Sequence, residues 1–174
     1  MEDLILVTPS KALEEKILEY KQEFIDFKET NINGSCGLAS SNNFDQWLET
    51  VLSIRKNNLR NNVHASTFLS IRKADNRIIG TIQLRHSLTE ELKKHGGHIG
   101  YGIRPSERQK GYGKQQLSLV LEVAKAMNIP KVMIICDKAN TASSRTAISC
   151  GGILTGENIY EGNEQLIYHI PLIK

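Results

Sequence analysis

The chain has 174 residues, with 22 Lys plus Arg against 19 Asp plus Glu for a formal net charge of +3, and it is 40% hydrophobic and 24% charged. That is an ordinary globular balance and the length of one domain (1–174). It excludes a disordered tail and a strongly basic, polyanion-binding protein. The longest apolar run, 132–136, is far short of the ~20 residues of a membrane span, no signal peptide is expected, and three cysteines without a CxxC pair suit a reducing cytoplasm.

Leu4, Ile5, Leu6 and Val7 make a run too brief for a helix and predict a first strand. Thr8, Pro9 and Ser10 then open a helix, with proline suited to its first position. Leu13, Ile17, Tyr20, Phe24 and Phe27 recur at steps of three and four, one apolar stripe among charges. Residues 31–43, rich in Asn, Ser and Gly, read as a flexible loop. Trp47, Leu48, Val51 and Leu52 restore helical spacing from Phe44, and the Asn-rich 57–62 ends that helix as a solvated turn.

After Ser66 the pattern alternates. Strands are predicted on either side of Ala74, Asp75 and Asn76, an antiparallel hairpin. A helical turn at 88–95 and a strand at 98–103 follow. A second amphipathic helix at 111–127 carries Leu117, Val120, Leu121, Ala124 and Met127 on one side. Residues 131–136 read as a central strand covered on both faces. A helix over 141–150 ends at Gly151 and Gly152, where a left-handed cap is easy. Strands at 153–160 and 165–170 form a last hairpin, turning at Glu161, Gly162 and Asn163.

One helix joins the strands at 98–103 and 131–136, which makes them parallel with a right-handed crossover. The meander before them is antiparallel. The fold class is therefore α/β, an α+β mixed sheet with helices on both faces and a ligand at the carboxyl ends of the parallel strands.

The stretch that carries chemistry is 98–114. Gly111 and Gly113 fall in the first turn of a helix, where each glycine costs about 1 kcal/mol against alanine. A helix N-terminus leaves its first amides unpaired and partly positive, so stripping side chains there lets a pyrophosphate sit on them. Arg108, Lys110 and Lys114 add full charges. The other reading is a plain loop whose glycines relieve strain. The better-known phosphate motifs fail: there is no GxxxxGK[ST] and no GxGxxG after a strand.

With those residues in view, the chain resembles the GNAT superfamily of acetyl-CoA-dependent N-acetyltransferases. Residues 99–105 resemble the family's fourth strand, Arg108-x-x-Gly111-x-Gly113 its pyrophosphate loop, and 132–136 its fifth strand. Asn140 stands at the following helix, and Gly151 and Gly152 where the family commonly shows Gly-Phe. The resemblance implies a GNAT-like fold, in which an antiparallel meander continues into a splayed parallel strand pair. It implies that the amides of Arg108, Gln109, Lys110, Gly111, Tyr112, Gly113 and Lys114 hold the pyrophosphate. The backbone of Ile103 would bind the pantetheine arm, and its N–H could polarise the thioester carbonyl. Asn140 would hydrogen-bond the pantetheine or the sulfur end; an ordinary helix cap is the other reading of that residue.

The activity so implied is acetyl transfer from acetyl-CoA to a primary amine of a small molecule or peptide by direct attack on the thioester, with no metal. The acceptor would be framed by the first two helices, their loop at about 28–44 and the final hairpin turn. The sequence departs from the family at the acid–base positions. The tyrosine expected seven residues after the asparagine is Ala147, which keeps open a non-catalytic acyl-CoA-binding sensor or partner domain. The family's strand glutamate has His98 as its nearest counterpart, a base suited to neutral pH. Glu90, Glu91 and Tyr101 are other base candidates, and Tyr160 is a substitute acid. Beside these stand the plainer readings of His98 as a structural strand histidine and Tyr160 as a packed aromatic. His95 and His98 lack a third ligand at zinc spacing, Cys36 lacks a partner base, and Cys136 and Cys150 suit a core. No nucleic-acid or membrane partner is expected, and the chain would act as a monomer or homodimer.

Overall fold

The computed structural model describes residues 3–56 and 63–172; the turn expected at 57–62 lies outside them. Strand β1 (Leu4–Val7) leads through a 3-10 turn (Lys11–Leu13) into α1 (Glu14–Asp26), then α2 (Phe44–Lys56). A meander of β2 (Ala65–Arg72), β3 (Arg77–Arg85) and β4 (Ile99–Ile103) follows, with α3 (Glu90–Lys94) between β3 and β4. A 3-10 turn (Pro105–Glu107), α4 (Tyr112–Ala126), β5 (Lys131–Asp137), α5 (Thr141–Ser149), β6 (Ile153–Tyr160) and β7 (Asn163–Pro171) complete the described chain.

The apolar stripe of α1 buries Ile17, Tyr20 and Phe24, but two expectations at its ends are corrected. Ser10 stands at the N-cap position of the 3-10 turn without a side-chain cap bond, so Pro9 precedes the helix. Phe27 stands just past the C-terminus and is 56% exposed.

The strands form two antiparallel sheets, β1-β2-β3-β4 and β5-β7-β6. β2 and β3 are buried on both faces. On one face Phe68, Ile82, Leu84, Val132 and Ile134 pack with Leu117, Val120 and Ala147 of α4 and α5. On the other, Leu69, Ile71 and Ile78 pack with Ile17, Tyr20, Trp47 and Val51 of α1 and α2. A register shift between Ser70 and Ile71 leaves Ile79 as the extra residue of β3, a bulge beside β4.

The loop between α1 and α2 is not the flexible segment its composition suggested. Ile32 and Leu38 are buried in the core, and the Ser35 hydroxyl donates to the Ile32 carbonyl and accepts the Leu38 amide. Trp47 Nε1 donates to the Ser35 carbonyl at 2.9 Å. The loop lies directly on β4: a Cβ at Gly34 would come within 2.8 Å of Tyr101 Cα. A side chain at position 34 would therefore lift the loop away.

α5 ends as expected. The Gly151 amide donates to the Ile148 carbonyl and the Gly152 amide to the Ala147 carbonyl, a left-handed C-terminal motif. The last hairpin turns on Glu161 and Gly162 alone, both with positive φ (48° and 83°), and Asn163 already pairs with Tyr160 in β7.

The splayed parallel pair that the resemblance implied divides the strands into the two sheets. β4 and β5 run in parallel but join by a single backbone bond, from the His98 amide to the Met133 carbonyl at 2.8 Å, and then diverge. The expected double coverage of β5 is incomplete: Val132, Ile134 and Cys136 are buried, while Met133 and Ile135, on the opposite face, are half-buried. Among the described residues, no helix is long and apolar enough to cross a membrane.

Candidate active site

The divergence of β4 from β5 makes a V whose apex is the His98–Met133 contact and whose mouth opens at Ile103. The register of β3 and β4 fixes which backbone groups line it. The Arg85 amide donates to the His98 carbonyl, and the Arg104 amide to the Ile79 carbonyl. Alternation along an antiparallel pair then turns the amides of Tyr101 and Ile103 away from β3, into the V. The Ile103 carbonyl accepts Arg108 Nε at 3.1 Å, so its amide is the group left for a ligand.

Beyond the mouth the chain turns through Gln109 (φ 62°) and Gly111 (φ 82°), the N-cap of α4. Gly111 needs the left-handed conformation, and a Cβ there would project into open space. Gly113 has a different reason: its Cβ would lie 3.3 Å from Thr146 Oγ1, so it lets α4 approach α5. Among the described residues, no acceptor reaches the amides of 109–114. They form an uncovered cluster of donors at a helix N-terminus, the arrangement that binds anions.

The charges around this loop differ from expectation. Arg108 makes a two-pronged ion pair with Glu29 (2.6 and 2.8 Å) and lies over the Phe24 ring. Lys110 pairs with Glu107 at 3.0 Å. Among the described residues Lys114 alone of the three has no carboxylate partner. Recognition of an anion therefore falls mainly to the backbone. Glu107 is 3% exposed and also receives Arg72 and Arg77, each at 2.9 Å. Burial works to raise its pKa, but hydrogen bonds from Lys110 and Arg72 override it and hold the carboxyl below its ordinary value. The same network reaches α1, because Glu23 accepts the Ser106 amide and pairs with Arg77 and the buried Arg104.

At the other wall of the V, Asn140 Oδ1 accepts the Ser143 amide at 3.1 Å, capping α5. The Tyr101 hydroxyl meets Ser143 Oγ at 2.8 Å. Burial pushes the Tyr101 pKa up to about 12, so this hydroxyl keeps its proton at neutral pH and is a donor, not a base. Ala147 is fully buried against Gly152, and no acid stands at that position.

The acid–base candidates do not gather in one place. His98 Nδ1 accepts the Met133 amide at 2.9 Å, and burial, then His169 and Arg85, bring its pKa down to about 4. It is a neutral ring whose Nδ1 lone pair is in use, and it clasps the apex. Tyr160 stacks on His95 (3.8 Å between centroids, 3° between planes), which in turn meets the Gln165 side chain. Glu90 is exposed and paired with Lys93 in the short helix α3. Among the described residues, no three His, Cys, Asp or Glu side chains are grouped to hold a metal. Two open depressions, of about 360 and 410 Å³, lie on the outer side of α2 and beside the end of α1. Neither is lined by a residue of the V.

Sequence reasoning missed Arg85, Ser143, Glu29 and Glu107. All act through contacts distant in the chain, and only Glu107, between Pro105 and the glycine loop, lay inside a segment already singled out.

The family profile for the acetyltransferase (GNAT) domain matches residues 36–153, about two thirds of the chain. The chain belongs to the GNAT acetyltransferase family. Solved structures share its fold. One is a microcin self-immunity acetyltransferase in complex with acetyl-CoA and AMP, with TM-score 0.71, 20% identity, and coverage of 98% of this chain and 93% of that one. A ribosomal-protein alanine acetyltransferase from Vibrio fischeri gives TM-score 0.74, 18% identity and coverage of 98% and 94%. A spermidine N-acetyltransferase chimera built in part from Vibrio cholerae gives 0.64, 15%, 98% and 96%. Among curated proteins, no sequence matches this chain.

Proposed function

We propose that this protein transfers the acetyl group of acetyl-CoA to a primary amine by direct attack of the amine on the thioester. The observation that carries the proposal is the uncovered run of amides at 109–114, at the mouth of a V whose inner edge presents the Ile103 amide. A pyrophosphate held on that run would place the pantetheine arm in the V, bridging the edge of β4 that β5 leaves open. The Ile103 amide would then polarise the thioester carbonyl as charge develops on its oxygen. Asn140 would contact the arm from α5. The hydroxyls of Tyr101 and Ser143, paired between β4 and α5, are the protonated groups nearest the departing thiolate on this reading. A thiolate with a pKa near 8.5 needs little help to leave, which accords with a buried alanine at 147. The amine would lose its proton to solvent, since the His98 lone pair at Nδ1 is occupied.

The cysteines are unpaired, which supports a reducing, cytoplasmic setting. The test is calorimetric titration with acetyl-CoA, followed by release of free thiol against a panel of amines. Binding with turnover of an amine is the expected result. Binding without turnover of any acceptor would favour an acyl-CoA sensor, and absence of binding would sink both readings.

A further inference from the structure

The Arg108 side chain serves two residues outside the glycine loop. Nε donates to the Ile103 carbonyl at 3.1 Å, while Nη1 and Nη2 grip the two carboxylate oxygens of Glu29 at 2.6 and 2.8 Å. The guanidinium carbon lies 5.7 Å from the centroid of the Phe24 ring. A guanidinium presents its donors in one rigid plane, so fixing the fork on Glu29 fixes where Nε points. Glu29 is set in turn by the end of α1. Lys28 takes a left-handed φ of 59°, and the Glu29 amide donates to the Phe24 carbonyl at 2.8 Å.

The bond to Ile103 falls beside the amide that faces the V. The peptide between Ile103 and Arg104 is held from both sides, its carbonyl by Arg108 and its N–H by the Ile79 carbonyl at 2.7 Å. The Ile103 amide belongs to the preceding peptide and follows Gly102. That position is glycine because Asn33 lies on it: a Cβ there would stand 3.0 Å from the Asn33 carbonyl oxygen. A glycine holds the amide after it loosely, and among the described residues no strand pairs that amide from the β5 side. Its direction therefore depends on the clamp behind it. The Arg108 and Glu29 side chains are 43% and 33% exposed, and an ion pair so open to solvent adds little to folding.

We propose that Glu29, acting through the Arg108 fork, is a positioning residue for the Ile103 amide, which it holds where the oxyanion of the tetrahedral intermediate forms. This rests on the reading of the V as the acetyl-CoA channel. Glu29 touches neither acetyl-CoA nor the acceptor on this assignment. It also keeps the Arg108 charge away from the pyrophosphate, so its loss is felt in the chemical step and not in cofactor binding.

The experiment compares Glu29→Gln with the natural protein, by calorimetry with acetyl-CoA and by kcat for the best amine of a panel. A kcat about 10- to 100-fold lower is expected, because misplacing a group by about 1 Å at the reacting atoms costs up to about 100-fold. The Kd for acetyl-CoA should hold or fall, since the freed Arg108 can turn toward the pyrophosphate. A general loss of structure would not split the two in this way, and thermal melting checks the fold. Arg108→Lys has a single ammonium, which cannot hold both the carboxylate and the carbonyl, and it should lose kcat similarly. The double variant should fall no further than Arg108→Lys alone, because the two residues act as one unit. An unaltered kcat in Glu29→Gln, a Kd that weakens in step with kcat, or additive losses in the double variant would overturn the assignment. So would acetyl-CoA binding by the natural protein with no turnover of any amine. Failure of the natural protein to bind acetyl-CoA at all would instead overturn the channel reading beneath it.

Discussion

His98 and Met133 clasp each other in both directions: the His98 amide donates to the Met133 carbonyl at 2.8 Å, and His98 Nδ1 accepts the Met133 amide at 2.9 Å. The sheet divides immediately beyond this contact, so the clasp sets where the V begins. Truncation by His98→Ala leaves the Met133 amide without its acceptor, at a cost of about 1–3 kcal/mol. The expected outcome is a lower denaturation midpoint and weaker acetyl-CoA binding, with the pH profile of turnover keeping its shape. A profile that loses a limb would make His98 the base after all.

The same ring predicts an acid sensitivity. Its pKa is about 4 in the folded protein against an ordinary 6.5, with burial the main cause, and His86 and His169 shift in the same direction. The unfolded chain therefore binds protons that the native state refuses. Stability is full above about pH 6.5, falls as the pH drops from there toward 4, and levels off below. For His98 alone the loss is roughly 2 kcal/mol, allowing for partial solvent screening. Urea melts between pH 4 and 7.5 measure it, and His98→Gln should flatten part of the slope.

Glu107 is the hub that ties the glycine loop to the rest of the protein. Its nearly buried carboxylate meets Arg72, Arg77 and Lys110 together. Glu107→Ala would leave Arg72 to Asp75 and Arg77 to Glu23, with only Lys110 losing its carboxylate, so a loss of about 1–3 kcal/mol is expected from the hydrogen bonds removed. Because Lys110 is then free to turn toward the loop, acetyl-CoA affinity should hold or rise in whatever fraction remains folded. Chemical denaturation and calorimetry on one sample separate the two effects. Equal stability of variant and natural protein would show that the cluster is solvated.

Periodicity made most of this fold legible. The stripe of Ile17, Tyr20 and Phe24 and the alternation around Phe68 report local geometry, and local geometry is what sequence spacing records. The glycine loop was legible because two glycines at a helix start contradict propensity and so demand a cause. Its ion pairs were not, since Arg108 meets Glu29 from 79 positions away and neither residue's neighbours announce it. The splay of the parallel pair followed from the family resemblance and not from the residue pattern. An apolar strand at 132–136 reads alike whether its second face is packed or lines a channel, and only the Ile135 and Met133 exposures distinguish them. The acid–base assignments rested on residue type, and type says nothing about whether a lone pair is already used.

Gly111 separates the two demands that the loop makes on one residue. Its φ of 82° asks for glycine, while the space where a side chain would go is empty of protein atoms. Alanine there meets no clash and suffers only the left-handed strain, about 1–2 kcal/mol. Glutamate suffers the same strain and also sets a carboxylate among the amides of 109–114, where the pyrophosphate would lie. The two variants should therefore melt at similar temperatures but bind acetyl-CoA very differently. Gly111→Ala should keep measurable affinity and Gly111→Glu should lose it by two orders of magnitude or more, roughly 3 kcal/mol. Calorimetric titration at fixed ionic strength decides the matter. Equal affinities in the two variants would mean that the anion sits elsewhere and that the glycine answers to backbone strain alone.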